Sequence, residues 1–414
     1  MLKIKDKAVR NAVLLGTLCS VSYLAVYIAR NILSAVTPAM KGDGSFTTEQ
    51  IGDLSSVFFI AYALGQLANG LIGDRVKAKY MISLGLLFAG ICHIAFPLLC
   101  TNWSAAYASY ALTGLSLSMI YAPMTKVVAE NTTPIYATRC SLGYTFASLI
   151  GSPLAGLLAF LLTWKNVFYA GSLILVLMGV ICYFSFSVLE HKKIVRYRPF
   201  EKPKTKGGGI AVLIKRQIIK FTLVAILTGI IRTTVVFWLP DYFSEHLGFS
   251  EKNAALLFSI ATLGISAATF IGIMVYELFR RNANLTLLVS FAVSAGSFLM
   301  IALIRQSVIN IVFVTLAVLS ANCASVILWS VYCPGLKDTG LVSSATGFLD
   351  FSSYMAASIS STVFAHAVSH IGWSGLILTW FGLMICGVLL CLPFRRSPAP
   401  DTQERPAEVL HDTK

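Results

Sequence analysis

Arg30 and Arg232 each lie deep in an apolar run, and each is followed eight residues later by a proline, Pro38 and Pro240. The two motifs stand 202 residues apart (30 to 232), about half of the 414-residue chain. A guanidinium stays charged at any accessible pH and presents a rigid fork of donors that fits the paired oxygens of a phosphate or carboxylate. Placing one in hydrocarbon costs at least about 2.5–3.5 kcal/mol, so two at matched places predict a buried site for an anion. Tyr23, Tyr27 and Arg30 are spaced four and three residues apart, which sets them on one face of a helix and suits the wall of a polar cavity. Asp350 is an acid well inside a later apolar run, where an unpaired carboxylate is costly. Three roles are open to it: pairing with Arg232, holding an ammonium or hydroxyl of a substrate, or carrying a proton. Asp53 and Asp241 fall near the ends of apolar runs and read as exposed caps or gate residues.

The elements that must position these groups are membrane helices. Hydrophobic residues make up 57% of the chain and charged ones 12%, about half the charge of a soluble enzyme. Apolar stretches long enough to cross a bilayer recur along the sequence, at about 11–39, 51–73, 80–100, 104–126, 139–162, 167–188, 218–240, 253–276, 285–304, 308–332, 342–367 and 374–394. The net charge of +14 does not indicate nucleic acid, because the basic residues gather in alternate loops. The N-terminus, the 2–3 and 8–9 loops, the segment 189–217 and the C-terminal tail hold most of them, which predicts that both termini are cytoplasmic. The basic start runs straight into a long apolar helix and is not a cleavable signal. The nine cysteines are scattered singly, without C-x-x-C spacing, and read as packing residues. His93, His366 and His370 have no metal-binding spacing, so neither metal nor cofactor is expected. No phosphate-binding loop, G-x-S-x-G or H-E-x-x-H motif is present, and an enzyme is not expected.

The halves repeat each other. Phe46-Thr47-Thr48-Glu49 answers Phe249-Ser250-Glu251, Asp74 answers Glu277, Gly143-Tyr144 answers Gly347-Phe348, and Trp164 answers Trp373. Parallel repeats of six spans belong to carriers whose site lies at the midplane between the halves. The expected division is 1–188 for the first half, 189–217 for a basic linker, 218–396 for the second half and 397–414 for a tail. Asp74 with Arg75 and Lys79, and Glu277 with Arg280, sit in loops between spans and are expected to act as a conformational latch rather than to touch substrate.

Two stretches carry a resemblance. Gly70-Leu71-Ile72-Gly73-Asp74-Arg75-Val76-Lys77-Ala78-Lys79 is similar to the G-x-x-x-D-R-x-x-x-[RK] loop of the major facilitator superfamily, and Trp164-Lys165-Asn166-Val167-Phe168-Tyr169 to its W-R-x-x-F-Y at the start of span 6. The resemblance implies an all-α membrane protein of twelve transmembrane helices in two pseudo-symmetric halves. Within the superfamily the chain resembles the organophosphate:phosphate antiporters. Tyr23-x-x-x-Tyr27-Ile28-Ala29-Arg30 looks like their Y-x-x-x-Y-x-x-R, Ile60-Ala61-Tyr62 their I-A-Y, and Arg232 with Trp238-Leu239-Pro240 their span 7 arginine and W-x-P. Gly347-Phe348-Leu349-Asp350 and Tyr354 resemble span 11 of members with an acid there. The chain departs from the family at Asn31 and Gln66, where lysines are common, and at Ser148, where glycerol-3-phosphate carriers have histidine.

The resemblance implies a monomeric inner- or plasma-membrane carrier. It would exchange a phosphate ester for inorganic phosphate around Arg30 and Arg232, with Tyr23, Tyr27, Asn31, Tyr62, Gln66, Ser148, Asp350 and Tyr354 lining the site. Two alternatives remain: a proton- or sodium-coupled carboxylate symporter, and a sugar-phosphate-sensing receptor of the same fold.

Overall fold

In lipid every backbone N–H and C=O must be satisfied within the protein, so apolar runs of this length become helices. A computed structural model of the chain describes residues 7–73, 76–197, 210–304, 306–336 and 342–392. The tail 397–414 and the middle of the linker lie outside the described residues. The first half contains α1 (Lys7–Gly42), α2 (Thr48–Gly73), α3 (Ala78–Leu98), α4 (Trp103–Leu117), α5 (Tyr121–Asn131), α6 (Pro134–Leu161) and α7 (Trp164–His191). A short α8 (Ile210–Lys215) precedes the second half. There α9 (Ile218–Gly229) continues through a π-helical turn at Ile230–Val235 into α10 (Val236–Asp241) and a second π turn at Tyr242–His246. Then come α11 (Glu251–Ser266), α12 (Ala268–Leu278), α13 (Ala283–Leu303) and α14 (Ser307–Ile327). A π turn at Leu328–Tyr332, α15 (Cys333–Gly335) and α16 (Val342–Cys391) complete the order.

Among the described residues, ten helical stretches are long and apolar enough to cross a bilayer. Two departures from regular helix account for the difference from twelve. α16 runs over 50 residues but bends at Gly372, whose φ of 67° is open to glycine and strained for other residues. It therefore makes two passes. Span 4, expected as one run over 104–126, is instead broken at Ser118–Ile120 into α4 and α5. The backbone at the break is not left bare. Ser118 Oγ donates to the Leu115 carbonyl at 2.6 Å, and buried Asn69 of α2 donates to Ser118 Oγ at 2.7 Å. A hydroxyl that satisfies its own helix end makes the interruption tolerable in hydrocarbon.

Large apolar side chains cover the outer surface. Phe270, Leu278 and Leu303 are each about two-thirds exposed or more (66%, 73% and 69%), a belt that only lipid can solvate. Inside, α1 packs on α6 and α7, α3 on α4 and α7, and α2 on α4; in the second half α13 packs on α14 and α16, and α9 on α16. The halves meet where α2 lies along α16 and α6 along α11.

The polar links of that meeting gather toward one end. Lys7 and Cys391 lie on one face of the bundle, here the terminal face. Among the described residues, the hydrogen bonds and ion pairs joining the halves lie at the level of Arg30 or toward the opposite, far face. Ser56 and Ser358 pair through their hydroxyls at 2.8 Å, Ser259 donates to the Pro153 carbonyl at 2.9 Å, and Thr362 donates to Asp53 at 3.3 Å. Gly156 lets the backbones come together, since a Cβ there would sit 2.8 Å from the Ala255 carbonyl.

The two prolines contribute directly. Pro38 has no N–H for the Ser34 carbonyl four residues back, and Thr37 Oγ1 takes that carbonyl at 3.0 Å. Pro240 likewise releases the Val236 carbonyl, and Ser34 of the first half donates there at 3.4 Å and to the Phe237 carbonyl at 2.7 Å. The proline of one half thus offers acceptors that hold the other.

Of the two readings of Asp241, exposed cap or gate residue, its burial excludes the first. Asp241 is fully buried and forms an ion pair with Lys41, which also bonds Glu245 at 2.6 Å. A carboxylate without water needs a cation, and the partner it found comes from the other half.

Candidate functional site

α1, α2, α6, α10, α11 and α14 enclose a cavity of about 140 Å³ between the halves. Arg30 enters it from α1 and Arg232 from the π turn before α10. An extra residue per turn widens the helix there, a feature that recurs at functional sites.

Arg30 is held by aromatic rings. Its guanidinium carbon lies 5.3 Å from the Tyr27 ring centre, 5.4 Å from Phe59, 5.2 Å from Tyr62 and 4.8 Å from Tyr354. Nη1 donates to Tyr354 Oη at 2.9 Å, a bond from the first half to the second. A desolvated cation over a ring gains up to about 2 kcal/mol, so the cage offsets much of the cost of keeping this charge away from water. Arg232 has less. The Tyr354 ring lies 5.8 Å away, its buried Nε has no partner, and its guanidinium makes no hydrogen bond among the described residues.

Of the residues expected from the sequence, Arg30, Arg232, Tyr27, Asn31 and Ser148 line the cavity. Tyr62 and Tyr354 stand behind, as part of the ring around Arg30. Tyr23 packs on Tyr27 at 5.0 Å and on Tyr121 at 5.5 Å, forming an aromatic run toward the terminal face with Tyr144. Asn31 turns back and donates to the Tyr27 carbonyl at 2.6 Å, so its amide N–H is spent on its own helix. Gln66, half-buried in α2, is not on the cavity wall. Asp350 is also off the wall and forms no ion pair with either arginine among the described residues, although Tyr354, one turn along, touches both.

Sequence reasoning did not single out Ser34, Ser152, Thr233, Thr262, Ser266 or Asn322, all of which line the cavity. Serine and threonine are common in membrane helices and carry no signal alone. Asn322 could have been found as an amide in the apolar run of α14.

On the terminal face, Lys79 bonds Glu190 at 2.5 Å and Lys77 bonds the same carboxylate at 2.7 Å, tying α3 to the end of α7. Glu277 lies 4.0 Å from Arg281, one residue beyond the expected Arg280. Asp74 and Arg75 lie outside the described residues.

Known proteins match this chain over most of its length. The hexuronate transporter of Bacillus subtilis is 25% identical over 410 residues, covering 92% of this chain and 94% of that protein. The phosphoglycerate transporter protein of Salmonella typhimurium is 23% identical over 430 residues, covering 94% and 90%. The crystal structure of a D-xylose–proton symporter superposes with a TM-score of 0.74 at 12% identity, over 94% of this chain and 98% of that one. The model of the Major Facilitator Superfamily matches residues 19–361, and the chain belongs to that family.

Proposed function

We propose that this protein carries a small organic anion across the cell membrane by alternating access, and that the cargo is a phosphate ester exchanged for inorganic phosphate. The observation that carries the reading is the convergence of Arg30 and Arg232, one from each half, on a single cavity. In this reading residues 1–188 and 218–396 are the moving halves, 189–217 links them, both termini are cytoplasmic, and the protein acts as a monomer. The far face, closed by Lys41, Asp241 and Glu245, is then the outer side, and the cavity opens inward. Two cations facing one cavity repel while it is empty, and an anion between them removes that penalty. A ligand shifts a two-state equilibrium only through its differential interaction with the two states, so an anion-loaded carrier reorients more readily than an empty one. Exchange follows.

A second reading, a carboxylate carrier, is favoured by one observation. Arg30 is already tied to Tyr354, which leaves Arg232 as the cavity guanidinium without a hydrogen bond among the described residues. One free cation suits a monoanion, and the hexuronate transporter is among the relatives.

The test is uptake of labelled inorganic phosphate into proteoliposomes, with and without phosphate inside. Uptake that requires internal phosphate supports exchange. Phosphate-independent uptake of glucuronate, with no phosphate uptake, overturns the first reading in favour of the second.

A further inference from the structure

Most hydroxyls on the cavity wall already have acceptors within the protein. Ser148 donates to the Thr145 carbonyl at 2.7 Å, Thr262 to Phe258 at 2.6 Å, Ser266 to Leu263 at 2.6 Å, and Ser34 to Phe237 at 2.7 Å. What these groups still offer a solute is lone pairs. Asn31 has its amide N–H on a carbonyl too. Asn322 differs. It lines the cavity from α14, its Oδ1 is buried without a partner, and its side chain makes no hydrogen bond among the described residues. Arg232, from the same half, is unpartnered in the same way.

An amide offers a donor and an acceptor together, and the group that matches both is a hydroxyl. A guanidinium offers donors only and matches an acid. Resting on the anion reading above, we propose that Asn322 and Arg232 form a two-point subsite for a hydroxylated acid. Arg232 grips the phosphate or carboxylate, and Asn322 reads a hydroxyl on the carbon chain nearby. The four hydroxyls already spent as donors favour the same ligand, because a solute hydroxyl can donate to their lone pairs and an unsubstituted chain cannot. Asn322 is then a specificity residue, with little part in holding the charge.

The experiment is calorimetric binding to the purified full chain with matched pairs: lactate against propionate, and glycerol 3-phosphate against n-propyl phosphate. In the wild type the hydroxylated member binds about tenfold tighter, the size expected of one or two neutral hydrogen bonds in a buried site. In Asn322→Ala, and in the near-isosteric Asn322→Leu should alanine misfold, that ratio falls to about one while affinity for the deoxy member stays within about twofold. A ratio unchanged in both variants overturns the proposal, and so does a wild type indifferent to the hydroxyl. A wild type that binds none of the four probes overturns the anion reading itself, an outcome distinct from either.

Discussion

Arg30 and Arg232 occupy matched places in the two halves, yet their surroundings are unlike. Arg30 is ringed by four aromatic side chains and tied by Nη1 to Tyr354 across the interface. Arg232 sits in a widened turn, with one ring at 5.8 Å and no hydrogen bond to its guanidinium among the described residues. A repeated sequence therefore does not imply a symmetric site. One cation is satisfied by the protein and helps to join the halves, while the other has no hydrogen-bond partner among the described residues. The far face shows the same inequality. Trp164 bonds Asp43 at 2.5 Å and Trp373 bonds Glu245 at 3.0 Å, a repeated pair, but Lys41 bridges only Glu245 of the two.

The largest effect short of removing an arginine is expected at Lys41. Lys41→Ala leaves Asp241 buried without its cation, which costs about 3–5 kcal/mol and is relieved by opening the far face. A cysteine at Ser34 should then be modified from the far-face side by a membrane-impermeant maleimide far faster than in the wild-type background. Equal rates would break the picture of a sealed far face beside a caged Arg30. A smaller change sharpens it. Tyr354→Phe keeps the ring over both arginines and removes only the acceptor for Arg30, worth about 1 kcal/mol. Accessibility from the far face should rise about fivefold, with anion affinity within about twofold, since Arg232 is untouched. A large loss of affinity would show that Arg30 and Tyr354 bind the anion as a unit.

The smallest effect concerns the half that Lys41 does not bridge. Burial raises the pKa of Asp43, but hydrogen bonds from Ser45 and Trp164 to its ionised form outweigh this and hold it below the usual carboxylate value. A depressed folded value contributes stability above the unfolded pKa and loses it as pH falls through the folded one. The melting-temperature gap between wild type and Asp43→Asn should be present at neutral pH and close in acid. A gap independent of pH would mean that the hydrogen bond from Trp164 does not depend on the charge.

The arginines, the tyrosine face before Arg30 and the helical spans were legible because charge in hydrocarbon is expensive and periodicity is local. What escaped was set by partners far along the chain. Asp241 read as an exposed cap or gate residue because no Lys or Arg lies within two helical turns of it in sequence, whereas Lys41 is 200 residues earlier (41 to 241). Span 4 read as continuous because the serine and asparagine that sustain its break are unremarkable in composition. Asn322 was visible only as an amide in an apolar run; that its Oδ1 is unpartnered is set by the neighbouring helices. Gln66 and Asp350 are not among the residues lining the cavity, a matter of helix rotation that residue type does not disclose.

The most direct test is a calorimetric titration of the purified protein with glycerol 3-phosphate, for wild type, Arg30→Ala and Arg232→Ala. A single site whose affinity falls about 100-fold or more without Arg232, and measurably less without Arg30, is the result expected of one free and one caged guanidinium. Binding that survives intact in Arg232→Ala would contradict the assignment of this cavity as the anion site.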